Sequence, residues 1–308
     1  MILVLGSSRD SVFPQLKRQL REDGHAFLAV DEDNPGRYAV KREGANGDSR
    51  YRVLGGDCRG LTPVTSIFVR HAVARTLDPD ALQQMGHLQG QLNCMLRAAR
   101  CPILNPPSSA LSNYSKAYQV ALLAEAGFDV PRSLVTNSPE AARRFLEECG
   151  GEVIYKGVSN VTTLAQLLRA GNLARLEFLP NSPTLFQEYV AGDDYRVHVI
   201  GGDAFVTRIV AEDVDYRRTS LLENQAIEVE AGELDPAVVG RCVVFTRCLG
   251  LAASGMDFKL QAGGRLVALE LNPYPQFTFY DRRSGQPITR AVVDYLVRHQ
   301  AEDTNVFA

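Results

Sequence analysis

The chain opens on an apolar run, Ile2–Leu5, that meets Gly6 and then polar residues, which predicts a first β-strand. Val12, Leu16, Gln19 and Leu20 then keep helical spacing, and Ala26–Val30 is a second apolar run of strand length. Ser66–Val69 predicts another strand. Asp78 ahead of Pro79 marks a helix start, with Leu82, Met85, Leu88, Leu92 and Met95 as the stripe to be buried. The Gly- and charge-rich stretch Arg42–Arg50 reads as a solvated loop. Strands and helices in alternation make this part an α/β lobe.

Proline and serine gather in Cys101–Ser109, which marks a boundary. Beyond it a helix opens near Ser115 and closes at Gly127, and another runs from Ser138–Pro139 to Gly150–Gly151. Val153–Lys156, Leu185–Val190, Tyr195–Ile200 and Ala204–Val210 read as strands, the last two joined by a tight Gly201–Gly202–Asp203 turn. A helix from Asp235–Pro236 presents Val239, Cys242, Val243 and Leu249. Strands Ala252–Leu260 and Arg265–Asn272 precede a final helix carrying Ile288, Ala291, Val292, Tyr295 and Leu296. There is no internal repeat.

With 308 residues, 45% of them hydrophobic and 22% charged, the chain has material for two or three globular lobes. A net charge of −3 gives no reason to expect nucleic acid. The apolar start is too short for a signal segment or a membrane span. The six cysteines (Cys58, Cys94, Cys101, Cys149, Cys242, Cys248) form no CxxC pair, and the histidines lack zinc spacing, so reduced, mostly buried thiols of a cytoplasmic protein are expected. Nothing in the sequence bars a homo-oligomer.

The sharpest chemical signal is Asp257, Glu270 and Asn272. Glu270 and Asn272 lie two apart in a strand and so share a face. Four loop residues, Gln261–Gly264, would set Leu260 opposite Arg265 and Asp257 opposite Ala268, so Asp257 and Lys259 would join that face. Val267, Leu269 and Leu271 would point away into a core. Two carboxylates and an amide oxygen suit Mg²⁺, or Mn²⁺ in its place. Taken alone, the pattern equally suits a solvated edge strand.

Lys156 ends an apolar strand and is followed by Gly157, Ser159, Thr162 and Thr163, groups that can meet phosphate oxygens; the bland alternative is a solvated strand end. Leu185–Val190 reads as a connector whose backbone could pair with an adenine edge, and Asp194 could accept from a ribose. A three-residue turn would put Arg196 and Arg208 on one face, suited to an acyl phosphate or a carboxylate, though an exposed cross-strand pair fits equally. Arg70 and His71 at a strand end are a hint of acceptor choice, weighed against the better-supported reading, a polar strand end facing water. The polar loop Asp213–Glu223, with Arg217 and Arg218, is either a substrate-closing loop or an ordinary surface one.

Taken in order, SKAYQ with Lys116, VIYKG with Lys156, FQEYVAGDDYRVHVIGG from Phe186, GMDFK and LELNP ending at Pro273, and GQPI at Gly285–Ile288 resemble the ATP-grasp superfamily. The nearest members are the RimK-type glutamate ligases and the microviridin-type peptide ligases. The resemblance runs from about Asn105 to about Leu296. It implies an α/β preATP-grasp lobe (residues 1–104) and two α+β lobes enclosing ATP, a small lid lobe (105–190) and a large lobe with the metal site (191–308). It implies phosphate contacts from Lys116 and Lys156, adenine held by Gln187, Glu188 and Val190, ribose by Asp194, and Mg²⁺ on Asp257, Glu270 and Asn272. Arg196, Arg208 and Lys259 would serve the transferring phosphoryl group. Two stretches depart from the family: GVSNVTT lacks the glycines of many lids, and YPQFTFYD differs from the NPxGQ of the peptide cyclases.

The expected reaction is ATP-dependent ligation of a small-molecule or peptide carboxylate to an amine through an acyl phosphate, releasing ADP and phosphate. Two other classes compete. A nucleotide-binding regulator without turnover would have little need of a full metal set. A dinucleotide oxidoreductase would need GxGxxG, and Gly6-Ser7-Ser8-Arg9-Asp10 does not supply it.

Overall fold

A computed structural model of the chain describes residues 1–43, 50–55, 64–71, 78–158, 165–210 and 227–299. The amino-terminal lobe is built on a parallel sheet in the order β2–β1–β5–β6, formed by β1 (Ile2–Gly6), β2 (Phe27–Asp31), β5 (Ser66–Val69) and β6 (Ile103–Leu104). Every residue of β1 and β5 is buried, which is why both read as unbroken runs rather than alternations. Helix α1 (Val12–Glu22) lies on one face with Val12, Phe13, Leu16 and Leu20, and α2 (Pro79–Ala98) covers the other with Leu88, Leu92, Met95 and Leu96. The expected α2 stripe holds only from Leu88 onward. Leu82 is exposed, and α2 also runs beside β3 (Tyr38–Glu43). Only the ends of the stretch expected as a loop are described, and they pair: β3 and β4 (Arg50–Gly55) form a hairpin, Tyr38 opposite Gly55 and Glu43 opposite Arg50, while residues 44–49 lie outside the described residues. Its charge density hid it.

After helix α3 (Lys116–Glu125), a small antiparallel sheet runs β7–β10–β8–β9, from β7 (Ser133–Thr136), β8 (Val153–Gly157), β9 (Gln166–Leu167) and β10 (Thr184–Glu188). Helix α4 (Pro139–Glu148), capped by the Ser138 hydroxyl, closes it with Ala142 and Phe145. The large sheet is antiparallel, in the order β13–β12–β11–β14–β15. Its strands are β11 (Asp193–Ile200), β12 (Asp203–Val210), β13 (Glu228–Ala231), β14 (Ala253–Leu260) and β15 (Leu266–Asn272). One face buries Tyr195, Val197, Val199, Met256, Phe258, Ala268 and Leu271 with Cys242 and Phe245 of α5 (Pro236–Cys248) and Leu123 of α3. Helices α6 (Thr278–Ser284) and α7 (Ile288–Arg298) complete the fold.

Two joints bind the first lobe to the large sheet. Val12, Leu16 and Leu20 of α1 share a core with Ile288, Val292 and Leu296 of α7. Asn105, 1% exposed, donates through Nδ2 to the carbonyls of Ala253 (2.6 Å) and Pro273 (2.5 Å). Its Oδ1 accepts from the N–H groups of Ala252 (2.8 Å) and Ala253 (2.9 Å). A buried amide so fully satisfied ties the boundary segment to the start of β14 and the end of β15.

Two registers differ from expectation. Ile200 pairs with Asp203, so the β11–β12 turn has two residues, Gly201 and Gly202, with Gly201 at φ +61°. Arg208 then lies opposite Tyr195 and not Arg196. Leu260 pairs with Leu266, an odd loop that would have turned Glu270 away from Asp257. A β-bulge between Asp257 and Phe258 absorbs one residue of β15 and restores the pair, Asp257 directly opposite Glu270. The odd turn itself, ahead of the bulge, puts Val267 opposite Lys259, on the polar side and not the core side expected of it.

Candidate functional site

The second face of the large sheet carries a ladder of polar pairs across β11 and β14. Asp194 faces Lys259, Arg196 faces Asp257, and His198 faces Gly255, while β15 adds Glu270 beside Asp257 and Asn272 beside Gly255. Lys259 Nζ lies 2.8 Å from Asp194 Oδ2 and 3.1 Å from the Gly192 carbonyl. Arg196 Nη1 donates to Asp257 Oδ2 at 2.6 Å, with side chains 5% and 15% exposed. Asn272 Oδ1 accepts from Tyr274 N–H at 2.9 Å, which leaves its second lone pair for another partner. His198 is fully buried against Tyr280, ring centroids 4.7 Å apart. Burial, and then the charge of Arg196, hold its pKa well below the usual histidine range, so the ring is neutral.

Arg208 does not join this ladder. On the opposite face it binds Asp193 at 2.8 Å and Glu230 at 2.9 Å, and those hydrogen bonds raise its pKa further. The expected Arg196–Arg208 pair is therefore dissolved by a single residue of turn length.

The two lysines lie on elements that meet, α3 and β8. Ser115 caps α3 by accepting from Tyr118 N–H, and the Lys116 N–H reaches the Val158 carbonyl at 3.4 Å, which brings the start of α3 to the end of β8 and Lys156. Lys156 is 8% exposed, not the solvated cap of the alternative reading. One turn into α3, Gln119 donates to the Leu271 carbonyl at 2.6 Å, between Glu270 and Asn272 in sequence. Lysine, helix start and acidic strand are thus held as one frame. Gln119 was legible only as part of SKAYQ.

The connector is fastened at several points. Glu188 Oε2 accepts from Arg132 Nε at 3.1 Å, and the N–H groups of Glu188 and Tyr189 go to the carbonyls of Arg132 and Glu152. The Glu188 side chain therefore clips β10 to the segment just ahead of β7. Gln187 donates to Ser133 Oγ at 3.0 Å, while its buried Oε1 has no hydrogen-bond partner among the described residues. Val190 is 6% exposed. The loop with Ser159, Thr162 and Thr163 and the loop with Arg217 and Arg218 lie outside the described residues.

At the first lobe, the loop after β1 has its own anions. Ser8 N–H donates to Asp31 Oδ1 at 3.0 Å and Arg9 N–H to Asp33 Oδ2 at 3.1 Å, the positions a dinucleotide pyrophosphate would need. Arg70 and His71, expected to face water, are both engaged. Arg70 donates to Asp10 at 2.7 Å and to the Tyr274 carbonyl, and His71 Nδ1 meets the fully buried Glu32 at 2.7 Å.

A family model for the RimK-like ATP-grasp domain matches residues 113–296. The chain belongs to the RimK-like ATP-grasp family. Its relatives include a probable alpha-L-glutamate ligase of Xylella fastidiosa (strain M12), 25% identical over 202 residues, which are 62% of this chain and 66% of that one. Over nearly the whole chain it is similar to the ATP-grasp ligase PsnB, solved with a minimal precursor, Mg and ADP. That match is 31% identical, covers 96% of this chain and 97% of that one, and has a TM-score of 0.77. The macrocyclase MdnC of Microcystis aeruginosa MRC, bound with precursor peptide MdnA, shares the fold at a TM-score of 0.81, 19% identity and 97% and 99% coverage. This is a family of ATP-dependent carboxylate–amine ligases, and neither the regulator nor the oxidoreductase class is favoured.

The donor set of the RimK-like chain can be judged on its own chemistry. Asp257, Glu270 and Asn272 supply three hard oxygens from adjacent strands. Among the described residues no cluster of three His, Cys, Asp or Glu side chains forms a complete metal cage. A cation that keeps water and phosphate oxygens in its shell, such as Mg²⁺, fits such an open set.

Proposed function

We propose that the polar ladder and the two lysines hold Mg·ATP, and that the protein activates a peptide carboxylate for attack by an amine. The carboxylate oxygen attacks the γ-phosphorus, the bond to the β-phosphate oxygen breaks, and ADP leaves. The amine nitrogen then attacks the carbonyl carbon of the acyl phosphate, phosphate departs, and loss of a proton from nitrogen completes the amide. Lys116 and Lys156 bind phosphate oxygens; Gln187 and the Val190 backbone orient the base, and Asp194 the ribose, with Lys259 holding Asp194. Asp257, Glu270 and Asn272 would hold Mg²⁺, which neutralises charge on the transferring phosphoryl group when bound. Arg196 supplies a fixed positive charge beside that group. Positioning and electrostatics carry the reaction, and no enzyme nucleophile is required.

The observation that carries this is Asp257 set directly opposite Glu270 with Arg196 at 2.6 Å. Two carboxylates on one rung carry one negative charge more than Arg196 neutralises, which favours a further cation there. Preference for a peptide over a free amino acid is supported by the likeness to PsnB, which extends through the first lobe. We take 1–104, 105–190 and 191–308 as the three lobes. No helix among the described residues is long and apolar enough to cross a membrane. Five cysteines among them are free thiols, so we assign the protein to the cytoplasm.

The deciding experiment is a phosphate-release screen of amino acids, dipeptides and peptides with Mg²⁺ or Mn²⁺, followed by product mass. A product whose mass is that of the peptide and amine together, or of the peptide alone where it supplies both groups, less one water per phosphate released supports the assignment. ATP binding with no turnover on any acceptor would favour the regulatory class instead.

A further inference from the structure

Gly255 sits in the middle of β14, where a glycine weakens a strand and usually marks the close approach of another group. The approaching group is Arg196. A Cβ built on Gly255 would lie within 2.6 Å of Arg196 Nε and closer still to Cζ and Nη2, a separation that real Cβ atoms do not show. Arg196 and Gly255 are not opposite each other: Arg196 pairs with Asp257 and Gly255 with His198. The guanidinium therefore leans along the ladder, away from Lys259, into the space the missing side chain leaves. Above it lies Tyr280, whose ring centroid is 5.8 Å from Arg196 Cζ. His198 packs edge-on against the same ring, and its Nε2 is 3.3 Å from the Gln276 carbonyl. Both Gly255 and Tyr280 are buried, Tyr280 at 6% exposure.

We infer that Gly255, Tyr280 and His198 form a seat that sets the direction of the Arg196 guanidinium, making them positioning residues for the phosphoryl-transfer step. The inference rests on the part given to Arg196 above. His198 belongs to the seat through its edge-on packing against the Tyr280 ring. A methyl at residue 255 moves the guanidinium without removing its charge.

Turnover of the full chain with Mg·ATP and its acceptor peptide tests this as a double-mutant cycle of Gly255→Ala and Arg196→Ala. Gly255→Ala alone should lower kcat about tenfold or more with little change in the KM for ATP, since a misplacement on the order of 1 Å can cost about 100-fold. In the Arg196→Ala background the same change should cost nothing further. The Arg196 Nε–H resonance of the nucleotide-free protein should also shift in Gly255→Ala. Tyr280→Leu, which removes the ring and keeps an apolar side chain, should reproduce both effects and serves if Gly255→Ala does not fold. Parent kcat in Gly255→Ala and Tyr280→Leu with Arg196→Ala impaired, or rate losses that multiply in full, overturns the seat alone. Parent turnover in Arg196→Ala overturns the part given to Arg196 itself.

Discussion

Replacing Glu270 by Gln keeps the shape of the side chain and removes one of the two negative charges on the metal rung. Asp257 is its direct cross-strand partner, and such pairs have Cβ atoms about 5 Å apart. At an effective dielectric of about 20, two unit charges at ~5 Å repel by roughly 3 kcal/mol, and Arg196 on Asp257 offsets much of that. The nucleotide-free variant should therefore be as stable as the parent or about 1 kcal/mol more so, a rise in Tm of no more than roughly 4 °C. Mg·ATP has the opposite consequence. At about 100 times its Kd a ligand adds ~2.7 kcal/mol of stability, so the parent Tm should climb by several degrees while the variant's climbs less. Loss of metal stabilisation at the transition state on the order of 4 kcal/mol lowers kcat by about three decades. Paired thermal melts with and without Mg·ATP, and a phosphate-release rate, measure all three. A variant that unfolds without ligand, or one that turns over ATP at the parent rate, would show that Glu270 is structural or solvated and refute the metal rung.

Lys156→Ala should weaken ATP by on the order of 1.5–3 kcal/mol, because a buried charge-assisted phosphate contact is lost; unchanged affinity by calorimetry would remove it from the site. Asn105→Ala should cost about 3–5 kcal/mol in denaturant unfolding, since carbonyls of Ala253 and Pro273 and N–H groups of Ala252 and Ala253 lose their partner. A loss below ~1 kcal/mol would show that water replaces it. For His71, burial opposes the charge, but the hydrogen bond and charge of Glu32, with Asn93, outweigh it and raise the pKa above the ordinary 6.5. Its contribution to stability is full below that value and fades as pH rises through the raised one. Glu32→Gln should flatten this decline in Tm, and an unchanged slope would assign it to other groups.

Most strands and helices were legible because their signals are local. Ser115, Ser138 and Asp235 cap helices where expected, and β1 reads as a strand from five apolar or small residues in a row. The shared face of Glu270 and Asn272 was legible too, by period alone. Register was not. The β14–β15 loop has the odd length that should have separated Asp257 from Glu270, and one bulge reverses that outcome, while a two-residue turn sends Arg208 to the other face. Side-chain period in a strand is two, so a single residue of turn or bulge exchanges the faces, and no local propensity records it. The engagement of Arg70, His71 and Gln119 and the space beside Gly255 were equally hidden. Each depends on a group far away in sequence, such as the carbonyls of Leu271 and Tyr274 or the guanidinium of Arg196, and only the packed lobes bring these within hydrogen-bonding or van der Waals reach. Sequence determined which chemistries were present; tertiary structure decided which of them meet.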